Sequence, residues 1–333
     1  MDLQKTGDKK LSFVIPCYYS EKTIEAVITR IIDTVIKDNR YDYEIVCVND
    51  GSTDGTYAVL RELAVNTKIK VIDLSRNFGQ HSALMAGFHY VEGDIIVCLD
   101  DDGQNPPEEM FRLIDKLEEG YDLVSAKYPK DERGFIRRFG SKISFAMSRY
   151  LIDMPRDIEL NSYYVMKRFV VDEIVKYRNA YPFVHGLALR VTRKIANVEV
   201  SHDNRMVGNS GYNLNRLINL WLNGFTSFSE KPLRIASIVG MISAGAGMVY
   251  AIFIIIRRLM GDIVATGYSS MMAALLIFCG MIMLFLGLLG EYVGRIYICI
   301  NNAPQYAVRE MKNVEIIGKI KSEDEINEED TNT

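Results

Sequence analysis

Asp94-Ile95-Ile96-Val97-Cys98-Leu99-Asp100-Asp101-Asp102-Gly103-Gln104-Asn105-Pro106-Pro107-Glu108-Glu109 is the stretch that decides how the chain folds. A short apolar, β-rich run stops at three carboxylates and a glycine. Prolines and glutamates then open a helix, with proline in the first turn and negative charge near the positive helix end. The same order recurs on either side. Strands are predicted at Leu11 to Cys17, Tyr43 to Asn49, Ile69 to Leu74, Asp94 to Leu99 and Leu123 to Ala126. Between the first two, Ile24, Val27, Ile28, Ile31, Ile32 and Val35 recur at helical spacing, with Ser20 as the expected N-cap. Strands alternating with one-sided helices specify an α/β domain with a mostly parallel sheet covered by helices. Past Ala126 the alternation lapses. Basic helices from Gly134 to about Ile152, a strand-like Tyr163 to Met166 and a helix from Phe169 to Tyr177 read as an accessory region with acceptor or lid functions.

Open α/β sheets bind ligands where the loops leave the carboxyl ends of the strands. Two acidic clusters fall there, Asn49-Asp50-Gly51-Ser52-Thr53-Asp54-Gly55 and Asp100-Asp101-Asp102-Gly103-Gln104. In extended chain Asp100 and Asp102 point one way and Asp101 the other. Two hard oxygen ligands on one side suit magnesium or manganese, completed by water and phosphate; a solvated acidic turn is the alternative. Asp50-Gly51 in isolation suits a hairpin turn. Followed by Val59, Leu60 and Leu63 on one helical face, it reads better as a nucleotide-contacting loop. Neither a P-loop ending nor G-x-G-x-x-G is present, which argues against ATPase and dinucleotide chemistry.

The chain has 333 residues, 48% of them hydrophobic, and a net charge of -4, against general nucleic-acid binding. Ile235 to Ile256 and Met271 to Gly290 are long, almost uncharged runs that suit two membrane helices better than buried core helices. Small residues such as Gly240, Ser243, Gly245, Gly247, Gly280, Gly287 and Gly290 would let the two approach closely. Tyr212 to Phe228 interleaves apolar residues and Trp221 with asparagines, the pattern of an interfacial helix or of an amphipathic helix packed on the soluble domain. A polar Met1 to Lys10 predicts no secretory signal. Arg216, Lys231, Arg234, Arg295, Arg309 and Lys312 outside the hairpin, against Arg257 and Arg258 in its loop, place both ends in the cytoplasm. Cys17, Cys47, Cys98, Cys279 and Cys299 lack metal-ligand spacing and read as inert buried thiols. His81, His89, His185 and His202 lack it too and read as structural.

Phe13-Val14-Ile15-Pro16-Cys17-Tyr18, Val48 to Thr56, Arg76-Asn77-Phe78-Gly79-Gln80-His81-Ser82 onward to Phe88, Asp100 to Glu108 and Gly287 to Tyr297 together resemble the family 2 glycosyltransferases. Within that family the chain is similar to polyprenyl-phosphate glycosyltransferases, namely the dolichol-phosphate mannose synthase-like enzymes and the bacterial undecaprenyl-phosphate 4-deoxy-4-formamido-L-arabinose transferases. The resemblance covers nearly all of the chain except its tails. It implies a GT-A fold, Rossmann-like with a mostly parallel sheet and helices on both faces, plus a C-terminal two-helix transmembrane hairpin. Pro16, Tyr18, Asp50, Asp100 and Gln104 would bind the donor, and Asp100 and Asp102 a Mg or Mn cation. Asp102 and Arg205 would be catalytic, with Arg137, Arg138 and Ser210 on the acceptor or diphosphate.

The expected layout is a polar tail (1–10), catalytic domain (11–211), interfacial helix and linker (212–232), two transmembrane helices (233–298) and a cytoplasmic, partly disordered tail (299–333). The implied activity is transfer of a sugar from a nucleotide-diphosphate sugar to a polyprenyl phosphate at the cytoplasmic membrane face, metal-dependent and inverting. The alternatives are a catalytically silent relative acting in binding or assembly, and a polysaccharide synthase, whose Gln-x-x-Arg-Trp motif is missing around Trp221. Departures from the family pattern include Tyr19 for the common asparagine, Asn209 and Gly211 around Ser210, and Ser162 where many relatives carry an aspartate proposed as catalytic. The sugar, the nucleotide and the oligomeric state, a homo-oligomer included, stay open.

Overall fold

Leu11 to Cys17 are buried without a break, which requires a strand covered on both faces and bonded along both edges. The computed structural model describes residues 9–128, 154–155, 157–201, 203, 231–260, 267–301 and 303–314. In it β1 (Lys10–Cys17) runs parallel to β2 (Asp42–Asn49) on one side and to β4 (Ile95–Cys98) on the other. β3 (Ile69–Leu74) extends the sheet beyond β2 in the same direction. The remaining strands are β5 (Leu123–Lys127), β6 (Tyr164–Lys167), β7 (Ile195–Glu199) and β8 (Val308–Lys312), and the order is β7-β5-β6-β4-β1-β2-β3-β8. β6 lies antiparallel between β4 and β5, and β8 antiparallel on the edge of β3.

Alternation along β1 feeds two cores. Phe13, Ile15 and Cys17 pack with Ile24, Ile28 and Ile31 of α1 (Ile24–Asp38), Leu60 of α2 (Thr56–Leu63) and Leu113 and Ile114 of α4 (Met110–Glu118). Val14 points the other way, to Leu84, Met85 and Phe88 of α3 (Gln80–Phe88), Val170 and Ile174 of α5 (Arg168–Ile174) and Leu187 of α6 (Val184–Val191). Helices therefore cover both faces. At the amino ends of the strands, buried Glu44 accepts from Ser12 at 2.5 Å and pairs with Lys70 at 2.9 Å and Lys10 at 3.0 Å.

α7 (Lys231–Leu259) and α8 (Tyr268–Ile300) form the C-terminal hairpin. Within α8 the window Ile277–Ile300 is long and apolar enough to cross a bilayer, with mean hydropathy 1.9 and none of it buried; Ala236–Tyr250 in α7 is a shorter apolar stretch. Among the described residues, a side-chain carbon added at Gly240, Gly245, Gly247, Gly280, Gly287 or Gly290 would meet nothing within 4 Å.

Several local expectations change. α8 runs to Ile300, near the expected end at residue 298, and within it Glu291 and Arg295 pair one turn apart at 2.8 Å. The residue that precedes helix α1 is Thr23, not Ser20, and no side chain caps it; the Ser20 carbonyl accepts the Thr23 and Ile24 N–H groups at 3.0 Å while its hydroxyl donates to Asp101. Cys17, Cys47 and Cys98 are buried, but Cys279 is exposed on α8. Val308–Lys312, which the sequence reading assigned to the tail, returns to the catalytic sheet as β8. There Arg309 donates to buried Asp73 at 3.2 Å and to the Ser75 carbonyl at 2.7 Å, and the Asn313 amide donates to the carbonyls of Ala64 at 2.6 Å and Ile69 at 2.9 Å. The interfacial segment 212–230, Trp221 and the acidic end 315–333 lie outside the described residues.

Lys70→Ala should cost about 3 kcal/mol, the lower end for breaking a buried ion pair because Lys10 stays with Glu44. Chemical denaturation of the detergent-solubilised protein measures it.

Candidate active site

The parallel order β3-β2-β1-β4 places crossovers on opposite sides of β1, which opens a crevice at its carboxyl end. Tyr18 leaves β1 there, Asp50 follows β2, Ser75 to Gly79 follow β3, and Asp100 to Asp102 follow β4. Pro16, the penultimate residue of β1, sits beside Val48.

Asp50 organises the first loop. Its buried carboxylate accepts the Phe78 N–H at 2.7 Å and the Gly79 N–H at 2.9 Å; burial pushes its pKa up, and the two donors hold it down. Gly51 is held at φ 64°, and an added Cβ would fall 2.3 Å from the Arg76 carbonyl carbon, so the loop passes β3's loop only without a side chain. Behind it, Asn49 donates to Asp73 at 2.7 Å and accepts the Ser52 N–H at 3.3 Å.

The three carboxylates diverge as extended chain requires. Asp101 turns to the β1 loop and accepts the Tyr18 N–H at 3.0 Å and the Ser20 hydroxyl. Asp102 accepts the Gln104 N–H at 3.1 Å, and Asp100 accepts from Gln80, the first residue of α3, at 2.8 Å. Burial pushes Asp100 up to about 6; the charges of Asp102 and Asp101 add to the rise, while the Ser162 hydroxyl and Asn105 amide oppose it. Ser162 is therefore a partner of Asp100.

Gln104 is tied to Asp203, receiving its N–H at 3.0 Å, and Asp203 pairs with Arg30 at 2.9 Å. Asp203 stands two residues before Arg205 in the chain. Arg205, Ser210, Arg137, Arg138 and His202 lie outside the described residues. Below Asp100, His81 and His185 are pushed down to about 3 and about 4 by burial, with Phe183 edge-on to His81 at 4.9 Å, so both are neutral packing groups at physiological pH.

Among the described residues no three His, Cys, Asp or Glu side chains converge as a ready-made metal cage. Mg2+ needs none, since one or two carboxylates plus substrate phosphates and water suffice. The donor set fits such an ion, with Asp100 and Asp102 as hard ligands in a loop whose like charges already disfavour ionisation of Asp100. Sequence reasoning missed Gln80 and the bracing role of Asp101, whose partners are distant in sequence.

A covered sheet of this order with carboxylates at its switch point is the GT-A architecture. Residues 12–175 match the Glycosyl transferase family 2 model, and residues 231–296 match the GtrB C-terminal hairpin. Over 91% of this chain and 94% of its counterpart, the sequence is 35% identical to the uncharacterized glycosyltransferase YkcC of Bacillus subtilis. It is also 35% identical, over 95% of this chain and 98% of the other, to the undecaprenyl-phosphate 4-deoxy-4-formamido-L-arabinose transferase of Proteus mirabilis. Mannosyl-3-phosphoglycerate synthase from Rubrobacter xylanophilus shares the fold, with TM-score 0.50 and 18% identity over 65% of this chain and 71% of that one. The chain belongs to glycosyl transferase family 2.

Asp100 binds its proton more tightly in the folded protein than at the ordinary 3.8, so the stability it confers is full below pH 4 and lost as pH rises through about 6. In chelator, Asp100→Asn should therefore stabilise the protein by about 3 kcal/mol at pH 7.5, with the gain vanishing near pH 4. Denaturation curves of both proteins across that range test it.

Proposed function

We propose that this glycosyltransferase moves a sugar from a nucleotide-diphosphate sugar to a polyprenyl phosphate, with inversion, at the cytoplasmic face of the cell membrane. The observation that carries the reading is the meeting of the Asp50 loop and the Asp100 and Asp102 carboxylates in one crevice. Relatives that match almost end to end and are named for undecaprenyl phosphate support the acceptor.

Pro16, Tyr18 and Asp50 bind the nucleoside, and Gln104 lies beside the diphosphate. Asp100 and Asp102 would hold a Mg2+ or Mn2+ ion, which would supply positive charge against that of the departing diphosphate. An acceptor phosphate oxygen attacks the anomeric carbon as its bond to the diphosphate breaks, and that electron pair leaves with the nucleoside diphosphate. The acceptor is already ionised near neutral pH, so no general base is required and Ser162 is no obstacle; orientation by Arg205, Arg137, Arg138 and Ser210 is what the acceptor needs. α7 and α8 cross the bilayer as a hairpin. The catalytic domain leads into α7 and β8 follows α8 back onto its sheet, which supports both ends on one side.

Enriched membranes incubated with labelled nucleotide sugars and undecaprenyl phosphate should pass one label into organic solvent; no transfer from any donor would overturn the reading. Asp102→Asn should lower that transfer at least about a hundredfold while the protein stays folded and membrane-bound, and near-normal turnover would remove Asp102 from the metal site. Arg205→Ala should raise the KM for undecaprenyl phosphate with little change in that for the donor, measured by varying each substrate in turn.

A further inference from the structure

Arg309 breaks the register of the strand it belongs to. β8 pairs with β3 residue for residue from Lys312 opposite Val71 to Glu310 opposite Asp73, and then Val308 faces Leu74, so Arg309 is the extra residue of a bulge. A bulge takes its side chain out of the regular alternation and re-aims it. Here the guanidinium is aimed back at β3 and the loop that follows it. It donates to the Asp73 carboxylate at 3.2 Å and to the Ser75 carbonyl at 2.7 Å, while the Ser75 N–H donates to the Ala307 carbonyl at 2.8 Å.

Each of these two acceptors leads to one side of the Asp50 turn. Buried Asp73 receives the Asn49 amide on its other oxygen at 2.7 Å, and the Asn49 side-chain oxygen accepts the Ser52 N–H at 3.3 Å, which closes the turn across Asp50 and Gly51. Ser75 opens the loop that ends in the Phe78 and Gly79 N–H groups, and these hold the Asp50 carboxylate at 2.7 and 2.9 Å. One forked cation therefore grips both loops that meet at Asp50, a task suited to the planar guanidinium. Stability of the sheet edge does not call for such a pair, because apolar residues can often replace a buried ion pair without loss. Val71, Ile72 and Leu74 beside Asp73 are apolar and buried. An apolar residue at position 73 could not hold Asn49.

We infer that Arg309 is a positioning residue for donor binding: through Asp73 and Asn49 on one side and Ser75 on the other, it sets the shape of the Asp50 loop. It acts through these groups and not by contact with the nucleotide. The strand that returns from the helical hairpin thereby braces the nucleotide site.

This inference rests on the nucleotide-sugar reading. Isothermal titration of the full-length protein in detergent with UDP, ADP, GDP and CDP, in the presence of Mn2+, gives both the affinity and the fraction of protein that binds. Arg309→Ala should weaken the best-bound nucleotide about tenfold with that fraction unchanged. A merely structural arginine would do the reverse, lowering the fraction that binds and leaving the affinity alone. Arg309→Lys keeps the charge opposite Asp73 and should stay within about threefold of the unaltered protein. Asn313→Ala removes a tie of the same strand to the Ala64 and Ile69 carbonyls, at the amino end of β3, and should leave the affinity unchanged. Unaltered affinity in Arg309→Ala would overturn the inference. So would a lysine variant as weak as the alanine one, or an Asn313→Ala variant weakened equally. If the unaltered protein binds none of the four nucleotides, the nucleotide-sugar reading itself fails and the inference falls with it.

Discussion

Strand β1 is hydrogen-bonded on both edges by parallel neighbours, and the rest of the molecule follows from that. Parallel pairing forbids tight hairpins, so the chain must cross over between strands. With β2 on one side and β4 on the other, the connections lead away from β1 in opposite directions and leave a gap at its carboxyl end. The Asp50 and Asp100 to Asp102 carboxylates gather around this gap, because several loops end there together. The opposite end carries charge of a different kind, the Glu44, Lys10 and Lys70 group, which is neutralised internally and holds the sheet.

The core and the carboxylate loops were legible because each is announced by residues adjacent in sequence. Ile24, Ile28 and Ile31 reveal one buried face of a helix, and Asp100 to Gln104 announce a strand end whatever lies opposite. Helix α3 carried no such periodic signal, since Ser82 to Phe88 are all buried and no stripe separates inside from outside. The role of Asp101 was hidden for another reason. Alternation gave its direction, but its partner Tyr18 is 83 residues away in the chain. The capping serine was misread on the same account: the Ser20 hydroxyl bonds to Asp101, 81 residues away in the chain.

Ser162 shows how a departure from a family pattern can be coherent. Its hydroxyl favours the ionised form of Asp100, whereas an additional carboxylate at that point would raise a pKa that burial already lifts to about 6.

Strand β8 has a consequence for the order in which the protein is made. The edge of β3 is completed by residues synthesised after both long helices, and Arg309 lies 236 positions beyond the Asp73 it pairs with. At ordinary rates of synthesis the buried aspartate waits roughly ten to fifty seconds for its cation. During that interval the edge is open to other strands. Completion of the catalytic sheet therefore requires synthesis through both long helices, and a chain interrupted before β8 keeps an open edge on β3.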